Sequence, residues 1–289
     1  MSSKIYDPKK EIINTLSYKK IFNQPMSFYQ IIYFSHTGFE NLNEVEGHLK
    51  DLIDRHKIKY KNGFYFLGTY KSKKDDIKEL NSRVSIAKVT FEKLEGIKFI
   101  FESIPFIKFV GVTGTLASYN FDFEKDDIDL FFICSRNRLW ITRFLVVLIL
   151  KYLNLYVNNS NPKLKICPNL YISEDNLEWK ESKRSLYVAH EIAMMQPLVN
   201  KKNIYFNFLS SNDWINDFLP NVSFYPVEKE TIINSDLTIL DLFEDIFRFI
   251  QKFFMKVRFG SEILNKDIIH FLKADHSVSV IEDYNKIKN

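Results

Sequence analysis

The sequence predicts an α+β fold, and three observations predict it. Residues 10–57 carry apolar side chains at helical spacing and run into an alternating segment split by Asn62-Gly63. From Pro105 onward, short apolar runs alternate with longer amphipathic ones. The chain then closes on a long helical pattern rich in phenylalanine.

In chain order, Ile12, Ile13, Leu16, Ile21 and Phe22 predict a helix over 10–23, stopped by Pro25. Ser27 caps a second helix over 28–36, which Gly38 ends. Val45, Leu49, Leu52 and Ile53 share one face of a third, over 42–57. IKYK and FYFL then flank Asn62-Gly63, a hairpin signal, because a type I′ turn needs positive φ at both central residues. Three helices and a hairpin are the layout of a winged helix, expected over 1–70. Residues 71–104 predict a charged linking helix, weakened by Gly96 and closed by Pro105.

Beyond Pro105, FIKFVGV reads as a strand, GTLASYN as the start of a short helix and DIDLFFIC as a second strand. A long helix is expected over 138–157, a third strand in LKICPNLYI and a helix over 186–198. Asn234 or Ser235 caps a last long helix that Gly260 ends, within a helical region over 201–289. The expected core is 105–200.

The bulk numbers exclude several classes. With 46% apolar and 26% charged residues, the 289-residue chain is neither a charge-rich disordered protein nor a fibrous one. A net charge of +4 is too mild to point to nucleic acid by itself. Two cysteines make no disulfide framework, so a cytoplasmic location is expected. No signal peptide is expected from MSSKIYDPKKE. The most apolar stretch, 139–157, contains Arg143, Lys151 and Asn154 and reads as a buried helix, so no membrane partner is expected.

Chemistry concentrates in GVTGTLASYNFDFEKDDIDLFFI, residues 111–133. Asp127 and Asp129 are two apart on a predicted strand and therefore share a face. Paired carboxylates repel unless a cation lies between them, and hard oxygen ligands suit Mg²⁺. Gly114-Thr115 follows a strand and opens a helix, a geometry that aims backbone N–H groups and a hydroxyl at phosphate. A phosphate cradle a dozen residues before paired carboxylates describes a site for metal-bound triphosphate. Gly111 reads instead as a glycine for close strand packing.

At these residues the chain resembles the DNA polymerase β-like nucleotidyltransferase superfamily, whose signature is Gly-Ser or a close relative, a helix, then Asp-x-Asp. IPFIKFVGVTGTLA, RLWITRF, CPNLYISEDNL and LYVAHEIAMMQPL resemble a bacterial group of nucleotidyltransferase-domain proteins with an N-terminal winged-helix-like segment. The resemblance implies a small mixed sheet flanked by helices. It implies transfer of a nucleoside monophosphate from an NTP to an acceptor hydroxyl, with release of pyrophosphate. The acceptor would be a small molecule, a sugar, an RNA end or a protein hydroxyl. Gly114 and Thr115 would hold the β- and γ-phosphates, and the catalytic pair Asp127 and Asp129 would ligate two Mg²⁺. The superfamily's third carboxylate has no counterpart inside LKICPNLYI, where Asn169 stands in its place. Glu174 and Asp175, just past that strand, are the candidate substitutes. The alternative is a catalytically degenerate fold that binds nucleotide or nucleic acid as a regulatory module.

Other residues read less sharply. Arg138 and Arg143 either reach phosphates, which makes Arg143 a nucleotide-binding candidate, or pair with acids. His190-Glu191 lacks the second histidine of a zinc-protease helix and reads as helix surface or as a pair that supports the site from behind, with Glu191 in reach of the site. Cys134 and Cys167 read as small core residues. The predicted third helix mixes Glu44, Glu46, Asp51 and Asp54 with Lys50, Arg55 and Lys57. That balance favours scaffolding or partner docking over DNA binding, although Lys59 and Lys61 keep DNA in play.

Overall fold

The computed structural model describes residues 6–67, 76–157, 163–222, 239–256, 263–270 and 276–288. Helix α1 spans Pro8–Lys20, with Pro at its first position and the Asp7 carboxylate accepting the N–H groups of Lys9 and Lys10. Helix α2, Phe28–Tyr33, starts in a full capping box between Ser27 and Gln30, and α3 covers Leu42–Asp54. Strands β1 (Ile58–Lys61) and β2 (Phe64–Leu67) form the antiparallel hairpin, with φ +51° at Asn62 and +87° at Gly63 as a type I′ turn requires. Helix α4, Asp76–Glu102, follows.

The main sheet then builds from β3 (Ile107–Val112), α5 (Gly114–Ala117), β4 (Ile128–Cys134), α6 (Leu139–Tyr152) and β5 (Ile166–Ser173). Helix α7 (Leu186–Met194), β6 (Gln196–Asn200) and α8 (Ile204–Ser210) come next, then α9 (Ile239–Lys256), β7 (Ile263–Leu264), β8 (Ile268–His270) and α10 (His276–Lys288). The strand order is β6-β3-β4-β5-β8-β7. Strands β4 and β5 pair in parallel and the other named strand pairs are antiparallel, so the sheet is mixed.

Strand β4 is central and buried on both faces. Leu130, Phe132 and Cys134 point into one apolar cluster with α4 and α6; Phe131 and Ile133 point into the other with α1, α3, α7 and α8. That two-residue alternation is the strand pleat, and it gives a near-continuous apolar run rather than an amphipathic one. Ile12, Leu16, Val45 and Leu49 share the second cluster with Phe109 and Phe131, so the N-terminal helices are packed on the sheet itself. Burying a ring such as Phe131, which is fully inaccessible, contributes about 1.5–3 kcal/mol.

Two local expectations are corrected. The helix predicted over 186–198 stops at Met194, and Gln196–Asn200 pairs with β3 as an edge strand, since Pro197 supplies no N–H for a helix and restricts the residue before it. His190 is fully buried, stacked on Tyr18 with ring centroids 4.0 Å apart. The predicted caps Asn234 and Ser235 and the stop Gly260 lie outside the described residues. Among the described residues, no helix is long and apolar enough to cross a membrane.

Candidate functional site

The site forms at the end of the sheet where β4 and β5 begin. Asp129 is the second residue of β4 and Asp127 immediately precedes the strand. Asp129 shares the strand parity of Phe131, so it faces the side on which α1 and α7 pack. In the parallel ladder Asp129 stands opposite Cys167 of β5. Ligand atoms of Asp127, Asp129 and Cys167 all lie within 4.8 Å of one another. Just past this level the register shifts, leaving Asn169 as the extra residue of a bulge. Its side-chain amide donates to Asp129 Oδ1 at 3.4 Å.

The turn from β3 into α5 lies against this cluster. The N–H of Thr113 donates to the Asp129 carbonyl at 3.0 Å, and Gly114 has φ +67°. A Cβ at Gly114 would meet Asp129 Oδ2 at 2.9 Å, so both the backbone conformation and the space demand glycine. Gly111, as its sequence position suggested, is a packing glycine: a Cβ there would meet Met195 Sδ and Phe109 Cε1, each at 2.7 Å. Thr115 is exposed on the turn. Gln24 and Asn120 tie the far end of the turn to the N-terminal segment, through Gln24 to the Ser118 carbonyl at 2.7 Å and Asn120 to the Phe22 carbonyl at 2.8 Å.

Behind the turn, Glu191 and the buried ammonium of Lys19 influence each other electrostatically. Burial raises the pKa of the Glu191 carboxyl, and Lys19 and the Gly114 backbone N–H pull the other way. Lys19 is 3% exposed, with its ammonium 4.7 Å from the Phe34 ring centroid and 3.1 Å from Met194 Sδ. Burial lowers its pKa to about 8, against the opposing pull of Glu191. Glu191 thus lies on the inner side of the Gly114 turn, and Thr115 is its exposed residue.

Gly114, Asp127 and Asp129 come together, with Thr115 exposed on the same turn. Arg143 does not join them: it is buried between α6 and α9, where it donates to the side chain of Gln251. Glu174 and Asp175 lie at the opposite end of β5. Glu174 accepts the N–H of Arg136 at 3.0 Å, and Asp175 pairs with the Arg136 guanidinium at 3.1 Å. Six residues of strand separate Cys167 from Ser173, about 20 Å, so neither acid reaches Asp129. Cys167 is the residue that sequence reading placed in the core and the fold places at the site, while Cys134 is buried as expected. The signal for it was the parallel pairing of β5 with β4, which a single sequence does not display.

The donor set suits a divalent cation. Two carboxylates supply hard oxygen ligands for Mg²⁺, whereas a thiol suits softer ions such as Zn²⁺ or Cd²⁺. No protein-family model, no curated protein and no solved structure matches this chain.

Proposed function

We propose that this chain is a Mg²⁺-dependent nucleotidyltransferase that moves a nucleoside monophosphate from an NTP to an acceptor hydroxyl. The observation that carries the reading is the contact between the Gly114 turn and Asp129, with Asp127 alongside. It joins the strand–turn–helix of a phosphate cradle to paired carboxylates at one end of a mixed sheet.

Asp127 and Asp129 would hold Mg²⁺, which when bound supplies charge neutralisation on the triphosphate. The chain's own residues set the geometry. Gly114 lets the turn close over Asp129, Thr115 presents its hydroxyl to phosphate, and Asn169 holds Asp129 Oδ1. Glu191 anchors the turn from behind, and Lys19 offsets the charge that Glu191 buries.

A second reading has its own observation. Asn169 and Cys167, rather than a carboxylate, occupy β5 beside Asp129. A fold of this kind without a further acid on β5 would bind nucleotide without turning it over. Pyrophosphate release from each NTP, in the presence of cell extract as a source of acceptor, separates the two. Release that disappears in Asp129→Asn supports transfer. Mg²⁺-dependent binding without release supports the binding module.

A further inference from the structure

We propose that the outward face of α9 is a self-pairing surface on which a second copy of this chain docks its own α9 antiparallel. The helix is inverted with respect to the usual pattern, in which polar residues face water and apolar residues face the core. Its inward face is largely polar, with Phe247 as the apolar residue packed on the core and on Phe144. Asp241 pairs with Arg138 at 2.6 Å, and the Glu244 carboxylate accepts the N–H groups of Trp140 and Ile141 at 2.7 and 3.0 Å. Gln251 donates to the Trp140 carbonyl at 2.8 Å. Glu244 thereby caps α6, whose first turn has no side-chain cap of its own. These contacts fix the rotation of α9 about its axis.

Directly opposite stand Ile239, Leu242, Ile246, Phe249 and Phe253, with Leu242, Phe249 and Phe253 at 62, 74 and 65% exposure. Their spacing of three, four, three and four residues is the a/d seam of a coiled coil. Phe249 and Phe253 together expose about 300 Å². Leu242, Ile246 and Ile239 add to this toward the roughly 800 Å² each partner buries in a stable dimer. On neighbouring α6, Phe144, Leu148 and Tyr152 are exposed as well, with Phe144 packed on Phe247.

The flanking positions select the partner and its direction. When two copies of the seam lie antiparallel, Ile246 of one copy faces Phe249 of the other and Leu242 faces Phe253. That register sets Asp245 opposite Lys252 and Phe243 opposite Ile250, each pairing occurring twice about the two-fold axis. Acid meets base and apolar meets apolar at every flank. A parallel pairing would instead set Asp245 against Ile250. Within its own helix Asp245 also holds Arg248 at 2.8 Å, and the Lys252 ammonium lies 5.8 Å from the Trp140 ring centroid. Asp245 is exposed and Lys252 partly so, and both are open to a partner.

The inference is independent of the nucleotide reading, and its test is the mass of the full chain in solution. Sedimentation at micromolar concentration is expected to give twice the single-chain mass of 34.4 kDa. The double variant Ile246→Glu, Phe249→Glu is expected to sediment as one chain with an unchanged far-ultraviolet spectrum. Asp245→Lys alone and Lys252→Asp alone are each expected to weaken association about tenfold, and the two together to restore it. A single-chain mass at every concentration overturns the proposal. So does a dimer indifferent to the double glutamate variant, a charge swap that fails to restore association, or a single chain that binds lipid vesicles through this face.

Discussion

Asp129 stands so close to Gly114 that a side chain on the glycine would meet its Oδ2 at 2.9 Å. The glycine also sits at φ +67°, where any L-residue is strained. Gly114→Ala is therefore expected to cost about 1–2 kcal/mol of stability. By pushing Asp129 from its place beside Asn169, it is also expected to lower Mg²⁺-NTP affinity by about tenfold or more. Denaturant unfolding and titration of the same variant check both, and an alanine variant with wild-type affinity would detach the turn from the site.

Cys167 reports on the carboxylates chemically. Its sulfur lies within 4.8 Å of their oxygens and is partly exposed, whereas Cys134 is buried and its thiol pKa is pushed up by burial. A thiol reagent is expected to label one cysteine of the folded chain quickly, and Cys167→Ser to remove that labelling. Cd²⁺ is expected to slow labelling at least tenfold in the wild type and to lose that effect in Asp127→Ala. Labelling rates by mass spectrometry decide it.

Arg143 and Glu174 are expected to be structural. Arg143→Ala leaves the buried Gln251 Oε1 without its donor at the α6–α9 contact and is expected to cost about 2–3 kcal/mol, with nucleotide affinity unchanged. Glu174→Gln is expected to leave affinity unchanged as well. A tenfold loss of affinity in either variant, with stability intact, would return that residue to the site.

The burial of Lys19 gives stability a pH dependence whose sign follows from the direction of its shift. The folded-state pKa of Lys19, about 8, lies below its ordinary value of 10.5. Between these values the unfolded chain holds a proton that the folded chain has released, so stability rises with pH across that window. The slope is up to about 1.4 kcal/mol per pH unit. Lys19→Met is expected to lack this contribution, so the difference between wild type and variant grows in the wild type's favour from pH 8 to 10. A constant difference would mean that Lys19 keeps an ordinary pKa in the fold.

Much of this arrangement was legible because it is local. Asn62-Gly63 specifies its turn through two backbone conformations, and Ser27 and Gln30 specify a helix start through two hydrogen bonds. Gly114 before Asp-x-Asp was legible for the same reason. What escaped notice depends on contacts distant in sequence. Cys167 and Asn169 reach Asp129 only because β5 runs parallel to β4, and a bulge then sets Asn169 out of register. Arg143 is withdrawn from the site by Gln251, more than a hundred residues later. Pro197 did announce the end of α7, but the apolar Met194–Met195 pair masked it.

The account rests on Asp127 and Asp129 holding a cation that in turn holds triphosphate, and titration calorimetry with each NTP, with and without Mg²⁺, measures that directly. Binding of at least one NTP is expected with Mg²⁺, to be lost with chelator and to fall at least a hundredfold in Asp127→Ala and Asp129→Ala. Absence of binding by every NTP, or binding indifferent to Mg²⁺ and to both substitutions, would contradict it.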